Sequence, residues 1–126
     1  MRVKNENLLT TATLTLASSQ NLRPVWLGHI ALFSVQLVFT GTPDGAFKLQ
    51  GSNDVGSIDA ADLDNQDNGL TNWTDITNTS TNISAAGSLL YNIPDSGYAW
   101  VRVVWTANSG GTTPLLTSAR AYVKGF

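Results

Sequence analysis

The chain contains a single histidine, His29, so this residue decides whether histidine-based catalysis can be expected. A nucleophilic triad places a histidine between a serine and an acidic side chain. His29 stands instead at the start of the longest apolar run, and the sequence contains no recognisable nucleophile motif. The acidic residues that could form a general acid and base are gathered in one polar stretch, where water surrounds them. We therefore expect no enzymatic activity, no catalytic residue and no cofactor-binding residue.

Aspartate is concentrated between positions 55 and 70, in a stretch rich in Asp, Asn and Gly. Residues 64–69 read DNQDNG and nearly match the calcium-loop pattern D-x-[DN]-x-[DN]-G, with Asp75 as a later oxygen donor. Gln66 breaks the third position and no helices flank the loop, so a solvated loop is the favoured interpretation. The candidate ligands for Ca²⁺ are Asp62, Asp64 and Asp67.

Aromatic and cationic side chains alternate in residues 98–106, which read YAWVRVVWT. Residues two apart on an extended chain share a face, so two aromatic rings and a guanidinium are expected on one side. Tyr, Trp and Arg are enriched at interface hot spots. Such a face either packs beneath another layer or forms a contact surface. Trp26, which lies in an irregular segment, is a further candidate for contact with a partner. The interface candidates are Trp26, Tyr98, Trp100 and Arg102.

The charge pattern argues against a nucleic-acid partner. Only 13% of the 126 residues are charged, and the net charge is −2. The seven basic residues are scattered along the sequence, whereas phosphate binding favours a clustered basic patch.

The chain has no cysteine, which excludes disulfides and thiolate metal ligands. Small secreted animal domains usually carry disulfides, so the composition favours a bacterial or viral product. No apolar run reaches the ~20 residues of a membrane helix, and residues 1–21 lack the apolar core of a signal peptide. We expect a soluble protein with no membrane partner.

Short apolar runs separated by turn residues predict strands, and Glu6 is the only glutamate, so exposed helix formers are scarce. The segment 41–45, GTPDG, is a turn that predicts a hairpin between the runs before and after it. The predicted extended segments cover residues 8–16, 25–27, 29–40, 46–50, 73–76, 82–85, 89–93, 98–106 and 115–124.

We expect these segments to give seven or eight strands, a number typical of an all-β, antiparallel two-sheet β-sandwich or jelly roll. The length predicts one domain over residues 1–126. Within it, residues 1–21 carry a threonine-rich face and are expected to form either an oligomerisation arm or an edge strand.

Four segments resemble small virion structural proteins of tailed bacteriophages, of the capsid-decoration or minor-structural β-sandwich type. They are GAFKLQGSND at 45–54, NWTDI at 72–76, YAWVRVVWT at 98–106 and AYVKGF at 121–126. The resemblance spans roughly residues 39–126 and implies binding to capsid or other virion proteins. The SND and Trp73 portion is also similar to the discoidin-type jelly roll of sugar-binding modules, but residues 55–72 lengthen the intervening turn.

We therefore expect a phage virion structural protein that decorates or stabilises the capsid by burying surface and forming homo-oligomers, with a trimer favoured. Its place would be the virion, assembled in the cytoplasm of a bacterial host. The alternatives are a carbohydrate-binding or host-attachment module that recognises a host glycan, and a tail or fibre component. Exposed, coplanar rings of Trp26, Trp73 and Trp100 with sugar binding would favour the glycan hypothesis, whereas buried rings with stable oligomers in solution would favour the virion role.

Overall fold

The computed structural model describes residues 2–27, 30–53, 72–94 and 98–125, and every regular element in these ranges is a β-strand. Strands β1 to β11 are, in order, Arg2–Asn7, Leu14–Thr15, Gln20–Asn21, Val25–Trp26, Ile30–Thr42, Gly45–Ser52, Thr74–Asp75, Thr81–Ile83, Gly87–Pro94, Trp100–Ala107 and Thr112–Gly125. No helix able to cross a membrane occurs in the part of the chain that the structure describes.

The strands form two antiparallel sheets, which confirms the all-β sandwich predicted from the sequence. The first sheet has the order β1-β11-β5-β9, and β2 also pairs with β11. The second sheet has the order β3-β10-β6-β7, with β4 pairing with β10 and β8 pairing with β6. The count of eleven exceeds the predicted seven or eight, and two of the strands, β1 and β3, lie outside every predicted extended segment. β1 reads RVKNEN, which lacks the apolar alternation that marks a strand, and β3 is only two residues long.

The core lies between the sheets and consists of every second residue of the long strands. Phe47 of the second sheet packs between Phe39 of the first sheet and Trp105, with ring centroids 5.8 Å and 4.6 Å away. The indole Nε1 of Trp105 donates a hydrogen bond of 2.9 Å to the carbonyl oxygen of Leu16. These buried faces follow the alternation predicted for residues 29–40, 46–50 and 98–106. The inward residues of the long strands are Phe33, Val35, Leu37, Phe39, Phe47, Leu49, Val101, Val103, Trp105, Leu116, Ala119, Ala121 and Val123.

The predicted hairpin around residues 41–45 is wrong. β5 pairs with β11 and β9 in the first sheet, whereas β6 pairs with β10, β7 and β8 in the second. The turn therefore carries the chain across the core from one sheet to the other. Gly41 has a φ of +75°, and a Cβ there would lie 2.1 Å from the carbonyl oxygen of Thr113. Only glycine fits this crossing without displacing the neighbouring backbone.

The predicted strand at residues 8–16 is also wrong for most of its length. β1 ends at Asn7, and only Leu14 and Thr15 pair again. Leu8 and Leu16 are buried in the core, and their backbone N–H groups donate to Ala119 and Pro114. The apolar residues anchor an irregular segment instead of lining a strand. Within one chain, the segment 2–21 supplies β1 and β2 to the first sheet and β3 to the second.

Candidate interaction surfaces

Trp26 and Trp100 lie opposite each other in the antiparallel pair formed by β4 and β10. Their ring centroids are 6.4 Å apart, and the ring planes are tilted by 39°. Trp26 is 37% exposed, whereas Trp100 is 1% exposed. In the sheet, Trp100 lies between Trp26 on one neighbouring strand and Ser52 on the other. Of this pair, therefore, only the Trp26 ring is exposed, and it lies against the buried ring of Trp100.

Tyr98 does not share the face of Trp100, contrary to the alternation expected for residues 98–106. It precedes the start of β10, and its ring packs against the core. A Cβ on Gly51 would lie 2.5 Å from Cδ1 of Tyr98, so the ring occupies the space that this glycine leaves. The N–H of Ala99 donates to Oδ1 of Asn53 at 2.8 Å, at a bend that breaks the extended alternation. Tyr98 is thus a half-buried packing residue at the end of the sandwich.

Arg102 belongs to a network on the outer face of the second sheet. Its guanidinium carbon lies 4.3 Å from the ring centroid of Trp73. Its Nε donates to Oε1 of Gln50 at 2.9 Å, and Nε2 of Gln50 donates to Oδ1 of Asp75 at 2.8 Å. The Lys48 ammonium completes the network with an ion pair of 3.0 Å to Asp75. Side chains of β10, β6 and β7 are thereby tied together across the sheet.

The network combines two cationic side chains, Lys48 and Arg102, with the carboxylate of Asp75. The hydrogen bond from Gln50 and the Lys48 ammonium hold the pKa of Asp75 below its ordinary value. Asp75 therefore carries its charge at neutral pH. Trp73 lies on this outer face, and its buried Nε1 has no hydrogen-bond partner among the described residues. The result is a polar surface on the outer face of the second sheet whose side chains are held by hydrogen bonds and an ion pair.

The outer face of the first sheet carries a second exposed patch, which the sequence analysis did not identify. Leu32 is 41% exposed and Tyr122 is 40% exposed. They border a shallow hollow of about 130 Å³ that Ser34, Asn92 and Lys124 also line. The available signal was weak: Leu32 is an apolar residue in the outward register of residues 29–40. Isolated exposed apolar residues are common on protein surfaces, so this signal alone does not predict a site.

The calcium candidates Asp62, Asp64 and Asp67 lie outside the described residues, as does His29. Within the described ranges, no three His, Asp or Glu side chains are grouped as a metal site requires. Asp75, the later ligand of the expected loop, is bound to Lys48 and Gln50. Calcium binding therefore stays a prediction from the sequence.

No family model matches the chain, and neither does any curated protein. Solved structures do resemble it. The SPBc2 prophage-derived protein YomS aligns over 97% of this chain and 92% of its own, with a TM-score of 0.54 and 12% identity. The Tobacco streak virus coat protein aligns over 98% and 85%, with a TM-score of 0.47 and 6% identity. Chitosan-binding module 2 of a Paenibacillus sp. IK-5 chitosanase/glucanase aligns over 82% and 62%, with a TM-score of 0.42 and 23% identity.

The alignment with YomS covers nearly the whole of both chains and shows that the two proteins share a fold. The phage resemblance inferred from the sequence is therefore confirmed at the level of the fold: this is an all-β sandwich of the type found in a prophage-encoded protein. The other two similarities have TM-scores below 0.5 and support no further argument.

Proposed function

We propose that the chain is a non-enzymatic structural protein of a bacteriophage virion, which decorates the capsid. It docks through the outer face of its second sheet. The observation that carries this proposal is Trp26, a large exposed ring held on the buried ring of Trp100. The fold shared with a prophage-encoded protein supports the virion setting. Assembly would take place in the cytoplasm of the bacterial host.

The rigidity of this surface favours tight docking. Trp26 is paired by its backbone to β10, so little conformational freedom is lost when a partner covers the ring. The neighbouring side chains of Arg102 and Gln50 are already hydrogen-bonded to each other. A partner therefore meets a pre-organised aromatic anchor with a polar rim, which is the usual composition of a binding hot spot.

The ring geometry favours protein docking over sugar stacking. Trp100 is buried, and its plane is tilted by 39° from that of Trp26, so the two rings do not form a flat platform. Arg102 covers one face of Trp73. The coplanar exposed rings that the glycan hypothesis requires are therefore not formed by these three tryptophans.

The test is rebinding of the purified protein to particles of a mutant phage whose genome lacks the gene for this protein. Wild-type protein is expected to rebind at a fixed ratio to the major capsid protein. Trp26→Ala should weaken rebinding by roughly 30-fold or more, because truncating a hot-spot residue costs about 2 kcal/mol. The matched control is Tyr122→Ala, which removes a ring of similar exposure from the opposite sheet and should change rebinding by less than about twofold.

Three results would contradict the proposal. They are wild-type protein that fails to bind any virion component, an equal loss of binding in both variants, and binding on a glycan array without binding to particles.

A further inference from the structure

Among the strands of the described ranges, β1 and β9 form the two edges of the first sheet, and they differ in their protection against pairing with another chain. β1 reads RVKNEN and carries three charged residues, whereas β9 reads GSLLYNIP and carries none. Charged side chains, bulges and short length are the usual means by which proteins block edge strands. β9 has eight residues and pairs with β5 in an uninterrupted register from Gly87 to Pro94. Near its centre, Leu90 is 63% exposed, the highest value among the exposed large apolar residues of the described ranges.

We propose that β9 pairs antiparallel with β9 of a second copy, around a twofold axis at Leu90. In this register the two Leu90 side chains face each other on the outer face of the sheet. Ser88 then lies opposite the partner's Asn92, and Leu89 lies opposite the partner's Tyr91 on the inner face. Directly opposed residues in an antiparallel pair have Cβ atoms about 4.5–5.5 Å apart, so each Leu90 side chain covers the other.

The sequence of β9 favours a second copy as the occupant of this edge. Self-pairing brings together two uncharged strands, so no like charges meet and no charged side chain loses water. Pairing with β1 of another copy would instead place Leu90 beside a strand that carries Arg2, Lys4 and Glu6. The arrangement joins the two β1-β11-β5-β9 paths into one continuous sheet. It deepens the proposed virion role by assigning the contact between copies, and it gives a dimer in place of the trimer expected from the sequence.

The first experiment compares two lysine substitutions on the same sheet face by sedimentation equilibrium. Wild-type protein is expected to be a dimer at about 100 µM. Leu90→Lys should raise the dissociation constant at least about 100-fold, because two ammonium groups would meet at the axis. Leu32→Lys is the matched control, since Leu32 is also an exposed leucine but lies on β5, away from the edge, and this variant should stay dimeric. Circular dichroism checks that both variants keep the fold.

The second experiment tests the register with single cysteines, which is feasible because the sequence contains no cysteine. Leu90→Cys should form a disulfide-linked dimer on mild oxidation. Ser88→Cys should not, because its two copies would lie about 13 Å apart, four residues along the strands. A mixture of Ser88→Cys and Asn92→Cys should form the mixed disulfide.

A monomeric or trimeric wild-type protein would overturn the proposal, as would equal cross-linking of Ser88→Cys and Leu90→Cys. These measurements use the free protein. A wild-type protein that is not a dimer would therefore not contradict the proposed docking on particles. Conversely, a failure to rebind particles would not exclude the dimer.

Discussion

Tyr91 connects the two sheets through one buried hydrogen bond. It lies on β9, and its hydroxyl donates at 2.7 Å to the carbonyl oxygen of Thr79, in the segment between β7 and β8 of the second sheet. Thr79 is itself buried, and its hydroxyl donates at 2.7 Å to the carbonyl oxygen of Ile76. Burial raises the pKa of the Tyr91 phenol above its ordinary value of 10.0, because the charged form would lose water. The neutral hydroxyl is therefore a structural element.

Tyr91→Phe tests this role. At neutral pH the variant should lose about 1 kcal/mol of unfolding free energy, the usual value of one such hydrogen bond. Above pH 10.0 the unfolded wild-type chain ionises at Tyr91 while the folded chain stays neutral, so this residue's contribution to stability falls as the pH rises. The difference between wild type and variant should therefore shrink in alkali.

Urea unfolding at neutral pH and just above pH 10.0 measures both effects. Tyr122→Phe, at an exposed position, is the control and should change the unfolding free energy by less than about 0.5 kcal/mol. A difference between wild type and Tyr91→Phe that grows with pH would contradict this account.

At the scale of the elements, alternation predicted which side of each long strand faces the core, but not which strand is its neighbour. β5 and β6 illustrate the limit. Both bury every second residue, and that pattern is the same whether two strands pair in one sheet or face each other across the core. The turn residues at 41–45 indicated a reversal, yet the positive φ of Gly41 and its contact with Thr113 serve a crossing between sheets. That distinction depends on contacts distant in sequence.

The interface candidates show the same limit. The pattern of residues 98–106 placed Trp100 and Arg102 correctly on the outer face, but it did not predict that Trp100 is buried. The Trp26 ring lies against Trp100, and Trp26 belongs to β4, which is too short for its pairing to be predicted. Tyr98 does not follow the predicted alternation because the chain bends at Ala99. Trp26 was recognisable as a candidate from its residue type and irregular surroundings, and it is the exposed member of the pair. Residue type therefore indicated candidate rings, and tertiary pairing decided which of them is exposed.

The irregular segment between β1 and β3 leads to an element-scale prediction. Leu16 is fully buried, although it lies just outside the two-residue strand β2. Leu16→Ala should lower the unfolding free energy by about 2–5 kcal/mol, because the surrounding core closes a cavity only partly. The hydrogen bond from Trp105 is retained in this variant, since it uses the backbone carbonyl of residue 16.

Leu32→Ala is the matched control for Leu16→Ala, because it removes the same atoms from an exposed position and should cost less than about 1 kcal/mol. Equal losses in the two variants, measured by urea unfolding, would show that the segment does not anchor the sandwich.

At the scale of the whole molecule, the proposed dimer determines how the docking surfaces are oriented. Directly opposed residues of an antiparallel pair point to the same face of the sheet, so a twofold axis at Leu90 runs perpendicular to the first sheet. The second sheets of both copies then lie on the same side of the joined first sheet. Trp26 is on the outer face of the second sheet, and the two Trp26 surfaces therefore point in the same direction. The dimer thus presents two docking surfaces to one particle.

This orientation predicts that dimer formation strengthens particle binding through bivalence. Leu90→Lys retains Trp26 but should rebind with an apparent affinity about 100-fold weaker or more, since linked sites gain two or more orders of magnitude in avidity. The converse variant, Trp26→Ala, should remain a dimer and still fail to bind tightly. Binding isotherms on gene-deleted particles, fitted together with the sedimentation data, separate the two effects. Equal affinity of wild type and a monomeric, folded Leu90→Lys would show that each copy docks alone, and the two surfaces would then act independently.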